Sequence, residues 1–385
     1  MSRALLLLAA AAGLVHAAPV DSPQHRMVYR ENGRFAAWPA NHGIWSWANE
    51  ILVGFTAGWH QVQPADSHQQ NHDKPGEPRL ARSLDGGQTW TVESPRELLP
   101  PDQGGRAPMD LSESMDFQRP GFALTIRCRN VNTGPSLFWY SYDKGKSWDG
   151  PFRFPQFGKG VAARTDYVID GRHEAMVFVT QAKTDGREGR TICVRTTDGG
   201  LTWRYVAPVG DEPRGFAIMP STLRLDSKRL LTTVRVQDGD ANRIDAYQST
   251  DNGASWRFRS SVAGTGEFGG NPPMLLKLRD GRLCLTYGYR AKPYSILARF
   301  SEDEGASWSE PLVIRDGAST WELGYTRSAQ RPDGKIVTVY YFNDGPHNER
   351  FVAATVWTPP GPDHRRPSKT SYSRPRPPLE ELKTR

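Results

Sequence analysis

Residues 83–90 read SLDGGQTW, and the pattern returns as SYDKGKSW at 141–148, TTDGGLTW at 196–203, STDNGASW at 249–256 and SEDEGASW at 301–308. The common form is Ser/Thr-x-Asp-x-Gly-x-Ser/Thr-Trp, and its chemistry is that of a stapled turn. The first hydroxyl and the Asp carboxylate accept backbone N–H groups, and Gly supplies the positive φ. The Trp covers the turn from below while its indole N–H seeks an acceptor. None of this requires a substrate. The five copies read as frame.

Successive copies start 58, 55, 53 and 52 residues apart. A period near fifty with strand-like runs between copies marks a repeat of small antiparallel sheets. In the fifth unit LLKLRDGRLCLTYGYR is followed by SILARF, the octapeptide and a last short strand. LRDG at 278–281 and RPDG at 331–334 are Asp-Gly hairpin signals. Five copies imply five blades, and YTRSAQRPDGKIVTVYYFN with RFVAATVW (325–357) supplies a sixth set without the octapeptide. The expectation is an all-β chain, one six-bladed β-propeller over 25–360, with the strand near ILVGFTAG closing the ring. A seven-bladed ring is the alternative if the N-terminal segment holds further strands.

The composition agrees. Of 385 residues 37% are apolar, 10% aromatic and 24% charged, with 37 Gly, 30 Pro and 12 Trp, enough for a large core and many tight turns. At the N-terminus, Arg3 precedes an apolar run from Ala4 to Val15 and small residues at Ala17 and Ala18. This predicts a signal peptide over 1–18 and a secreted or periplasmic protein; the run is too short to span a bilayer. A buried N-terminal helix is the ordinary alternative. Cys128, Cys193 and Cys284 each lie in an apolar run, an odd count that reads as buried free thiols. Of the net charge of +7, residues 362–385 carry +4, seven Lys/Arg against three Asp/Glu. The segment 361–385 is read as a disordered, proline-rich solvated tail, so the basicity does not argue for nucleic acid.

The octapeptides resemble Asp boxes, and five of them resemble the bacterial sialidase (neuraminidase) superfamily. That resemblance implies a tyrosine nucleophile activated by a glutamate, an aspartate acid/base on a mobile loop, and three arginines that clamp the substrate carboxylate. GYTRSAQRPDGKIVTVYY places Tyr325 at the nucleophile position; its ordinary reading is a core tyrosine. HDKPGEPRLARSLDGG assigns Asp73 as the acid/base; otherwise it is an Asp in a polar loop. RLLTTVRVQ and LCLTYGYRAKP give Arg235 and Arg290 as clamp arginines, with structural ion pairs the alternative.

Two departures stand out. The first clamp arginine of the family belongs to an Arg-Ile-Pro motif, and FAAWPANHGIW has Ala37-Trp38-Pro39 there. Arg34, three residues upstream, is the substitute. Trp38, Trp45, Trp47 and His42 surround the position and read either as a stacking surface for a sugar or as core. The activating glutamate is absent from GFAIMPSTLRL, which leaves Glu322 in WELGY, with Glu267 as a weaker candidate. His68, His72 and Asp73 lack metal-site spacing, and no metal or organic cofactor is implied. Three functions fit: an exo-acting sialidase-type hydrolase on sialylated or other acidic glycans, a glycosidase or lyase on another acidic sugar, or a non-catalytic glycan-binding propeller.

Overall fold

A computed structural model describes residues 17–345 and 349–362. The signal-peptide expectation at 1–18 and the tail expectation at 361–385 fall outside the described residues except for Ala17, Ala18, Gly361 and Pro362. The described chain is a succession of short antiparallel meanders. In the first sheet, Arg34–Ala37 and Ile44–Trp47 both pair with Glu50–Trp59, which pairs with Glu77–Ser83 and then Thr91–Glu93. Ala123–Cys128, Ser136–Ser141 and Asp149–Arg153 form the second. The third sheet has nine strands and divides at one parallel bridge, Arg190 to Ala217, between Glu188–Thr196 and Phe216–Arg224. Met274–Lys277 begins the fourth sheet, and the last contains Gly324–Gln330, Ile336–Phe342 and Phe351–Thr358. We count the nine-stranded sheet as two meanders at its bridge.

Each meander packs face to face on the next, so most strands bury both faces and read as continuous apolar runs. Ile51, Leu52, Val53 and Phe55 are all buried. Val53 and Phe55 pack with Val337, Val339 and Val356 of the last sheet. Leu52 packs the other way, with Leu137, Trp139 and Trp148 of the second. First sheet against last closes the circuit, as in a β-propeller.

The closing strand differs from the expectation. ILVGFTAG belongs to the second strand of the first sheet, and Asp21–Tyr29 instead pairs antiparallel with Phe351–Thr358. Ala18–Pro19 adds a parallel edge to Leu312–Val313, so sheet structure begins before residue 25. Asp21–Tyr29 gave no sequence signal because an outermost strand needs only its backbone ladder. Val28 is its one buried hydrophobic residue.

The octapeptides form the turns before each outer strand. Gly87 N donates to Ser83 Oγ (2.7 Å), Thr89 N to Asp85 Oδ1 (2.9 Å), Thr89 Oγ1 to Asp85 Oδ2 (2.6 Å), and Trp90 Nε1 to Gly87 O (3.1 Å). The same bonds recur around Asp143 and Asp251. Gly87 has φ 88°, and a Cβ there would meet Val337 at 2.8 Å, so both conformation and space demand glycine. Both Asp-Gly turns join their strands as expected. Among the described residues no helix is long and apolar enough to cross a membrane.

Candidate functional site

Three innermost strands or strand ends carry a residue in the left-handed region: Trp38 (φ 63°), Met219 (φ 52°) and Tyr325 (φ 51°). These three side chains pack in one cluster with Phe35, Phe216 and Tyr341. Such a conformation costs a non-glycine residue on the order of 1–3 kcal/mol unless its surroundings enforce it. At Tyr325 the enforcement is visible. The buried Asn271 accepts Tyr325 N at Oδ1 (2.8 Å) and donates from Nδ2 to Leu323 O (2.8 Å). The ladder slips between Gly324 and Arg327, and this bulge aims the tyrosine away from the regular strand direction.

The hydroxyl of Tyr325 accepts from Arg235 Nη1 at 3.0 Å. Arg235 is fixed by Nε donating to Gly269 O (2.7 Å), and Arg290 by donation to Phe268 O (3.1 Å) and Tyr341 Oη (2.9 Å). Their guanidinium carbons lie 5.9 and 5.6 Å from the Tyr325 ring centre. Exposure is 8% for Tyr325, 8% for Arg235 and 2% for Arg290. Burial alone pushes the Tyr325 phenol up, but Arg235, Arg290 and Arg164 outweigh it and hold the group below the ordinary tyrosine value. The pocket is cationic, and its phenol gives up a proton more readily than an ordinary tyrosine does.

Three sequence candidates therefore come together: Tyr325, Arg235 and Arg290. The other three sit elsewhere. Glu322, wholly buried, accepts from His68 Nδ1 (2.6 Å), Gln69 N (3.1 Å) and Arg350 Nε (2.8 Å). Burial raises this carboxyl, yet His68 and Arg350 bring it below its usual value, so it stays ionised. It ties the segment around His68 to the last sheet, helped by Trp321 Nε1 donating to Ala65 O (2.6 Å). Arg34 donates to Ala57 O (3.2 Å) and lies 4.2 Å over the Trp59 ring, whose centre Lys74 Nζ approaches at 5.0 Å. Asp73 is exposed beside Lys74, its backbone N–H bonded to Asn71 Oδ1 (2.9 Å). Among the described residues no hydrogen bond or ion pair joins Asp73 to Tyr325, Arg235 or Arg290. Glu267 is exposed.

Where the resemblance asks for a glutamate, Met219 stands, its Sδ 3.6 Å from Arg235 Nη1. The sequence reading missed Arg164 and Glu188, paired at 2.7 Å, both of which act on Tyr325 electrostatically. It also missed Asn271. The available signal was positional: Arg164 in VAARTD follows a short apolar run, as Arg235 and Arg290 do. Of the tryptophans near FAAWPANHGIW, Trp45 is core, donating to Tyr167 Oη (3.1 Å). Trp38 instead faces His68, ring centres 5.4 Å apart, at the edge of the site. Cys193 and Cys284 are buried free thiols as expected, whereas Cys128 is only partly buried.

The family model described as a BNR repeat-like domain matches residues 126–338, more than half of the chain. No curated protein matches the sequence. Among solved structures, a protein of unknown function from Dyadobacter fermentans superposes with TM-score 0.66 at 21% identity, covering 88% of this chain and 99% of that one. A mutant Trypanosoma rangeli sialidase displaying trans-sialidase activity gives 0.57 at 14% identity over 88% of this chain and 60% of its own. The NanB sialidase of Streptococcus pneumoniae gives 0.56 at 11% identity, over 86% and 70%. At these identities the likeness is one of fold.

Proposed function

The chain belongs to the BNR repeat-like family, and from its site we propose a glycoside hydrolase that attacks a terminal acidic sugar through Tyr325. The observation that carries the reading is the buried Tyr325 hydroxyl accepting from Arg235 (3.0 Å) with Arg290 alongside. A sugar whose anomeric carbon bears a carboxylate would set that anion against the two guanidinium groups. The Tyr325 oxygen then forms a bond to the anomeric carbon as the glycosidic C–O bond breaks. The two guanidinium groups offset the negative charge of both the ionising phenol and the substrate carboxylate, so that the two can approach.

No glutamate bonds Tyr325 among the described residues; the arginines do the activating, by favouring the ionised oxygen. Asp73, on the polar loop that Glu322 anchors at His68 and Gln69, is the proposed acid that protonates the leaving oxygen and then deprotonates the incoming water. The first substrate class is the sialosides. Release of free sialic acid from a fluorogenic α-sialoside tests it: activity is expected in the wild type and lost in Tyr325→Phe. Absence of turnover, or equal rates in the two, refutes it.

A second reading has its own observation. Arg34 spends its side chain on Ala57 O and Trp59, leaving two clamp arginines on Tyr325. A two-arginine clamp suits other acidic sugars, and turnover of uronic-acid glycosides with none of sialosides would select that reading. Secretion or export to the periplasm is part of the proposal. It rests on the apolar run Ala4–Val15 followed by Ala17 and Ala18.

A further inference from the structure

A cavity of about 200 Å³ lies between the first and second meanders and reaches the inner strand of the third, with His42, Arg127, Arg129, Trp139 and Arg164 in its wall. Its charges do not balance. Arg164 is paired with Glu188 and Arg129 with Asp102, but no carboxylate pairs with Arg127 among the described residues. Arg127 donates from Nη2 to Leu98 O (2.9 Å) and lies 4.4 Å over the Trp139 ring. Its Nε is buried without a partner, and so is Nη1 of Arg164, a side chain only 9% exposed.

His42, which donates to or accepts from Thr56 Oγ1 (2.8 Å), adds no positive charge. Burial first, then Arg127 and Arg327, drives its imidazole well below the ordinary histidine range. Burial and the neighbouring Arg129 lower Arg127 to about 10, so it is still a cation at neutral pH. A desolvated cation with no carboxylate partner in the wall of a cavity is costly unless an anion completes it. The volume corresponds to about seven waters, room for one charged substituent and part of a ring. Ala40 packs in one cluster with Tyr325, and the residues that follow it, Asn41 and His42, line the cavity, which puts the cavity beside the tyrosine.

We propose that this cavity binds an anionic substituent, a carboxylate or a sulfate, on the sugar next to the one that Tyr325 attacks. Placing it on a neighbouring sugar rests on the hydrolase reading; anion binding by the cavity does not. The preferred substrates are then glycans with acidic groups on two adjacent sugars. Arg127, through its uncompensated charge, sets that preference.

The test is calorimetric titration of the full chain with three thio-linked disaccharides sharing one terminal acidic sugar. Their second sugar is neutral, carboxylated or sulfated, and the two charged ligands separate the two sources of anion. At least one charged ligand is expected to bind about tenfold or more tightly than the neutral one. Arg127→Gln erases that preference, Arg127→Lys keeps part of it, and Arg235→Gln weakens all three ligands without erasing it. Circular dichroism checks that each variant is folded. A charged second sugar bound no better than a neutral one, or a preference surviving in Arg127→Gln, overturns the cavity assignment. Oxygen-linked versions read the hydrolase separately. Preference without turnover refutes the hydrolase alone, and turnover without preference refutes the cavity alone. If none of the three disaccharides binds, both are refuted.

Discussion

Removing Arg235 should move the titration of Tyr325. The guanidinium donates to the phenol oxygen at 3.0 Å, and both side chains are 8% exposed. Two unit charges at that distance interact by about 5 kcal/mol at an effective dielectric of 20, before desolvation is subtracted. Charge-assisted hydrogen bonds contribute about 1.5–3 kcal/mol net. At about 1.36 kcal/mol per pH unit, Arg235→Gln should raise the Tyr325 midpoint by about one to two units. Arg290 and Arg164 remain in the variant and still lower the phenol.

The measurement is the tyrosinate absorbance titration, with Tyr325→Phe spectra subtracted so that one phenol is followed. Folding adds a second readout. A phenol held below the ordinary tyrosine value of about 10 in the folded state is more easily ionised there than in the unfolded chain. Stability therefore rises with pH from the folded midpoint up to about 10, and Arg235→Gln flattens that rise. An unchanged midpoint, or one moved downward, refutes arginine activation of the tyrosine.

Glu322→Gln separates anchoring from activation. Hydrogen exchange should increase over residues 63–70 while the Tyr325 titration stays in place, and a shifted titration would make Glu322 the activating group after all. Arg327, 5% exposed, reaches from the last sheet to Ala40 O and Thr165 O of two other meanders. Arg327→Met should cost about 2–4 kcal/mol in urea denaturation, since two buried carbonyls lose their donor. The Asp boxes predict the acid limb. Burial raises the Asp85 carboxyl, but the hydrogen bonds from Thr89, Ser83 and Gln88 together outweigh it and hold it at about 2, so its contribution is present above the ordinary Asp value and lost as pH falls toward 2. Asp85→Ala should remove about 1 kcal/mol at neutral pH, a small figure because the group is mostly exposed, and should soften the acid transition.

The frame was legible because it is local. Each octapeptide contains its own donors, acceptors and glycine, so its conformation follows from eight residues, and the spacing gives the repeat. The site is harder because it is made where strands meet. Tyr325, Arg235 and Arg290 were found since each ends or begins an apolar strand in a matching repeat. Glu322 was misleading: three residues from Tyr325 along the chain, it lies across a bulge and points at His68 and Arg350. Arg164 and Glu188 come from the third meander, which the resemblance did not single out. Asp21–Tyr29 escaped notice because an outer strand carries little apolar pattern.

The most direct measurement is covalent trapping. A fluorinated acidic sugar with an activated leaving group, incubated with the full chain, should leave a glycosyl adduct of the expected mass. Peptide mapping should place it on Tyr325, and Tyr325→Phe should carry none. Turnover of the matching substrate with the label on another residue, or undiminished turnover in Tyr325→Phe, would contradict a tyrosine nucleophile at this site.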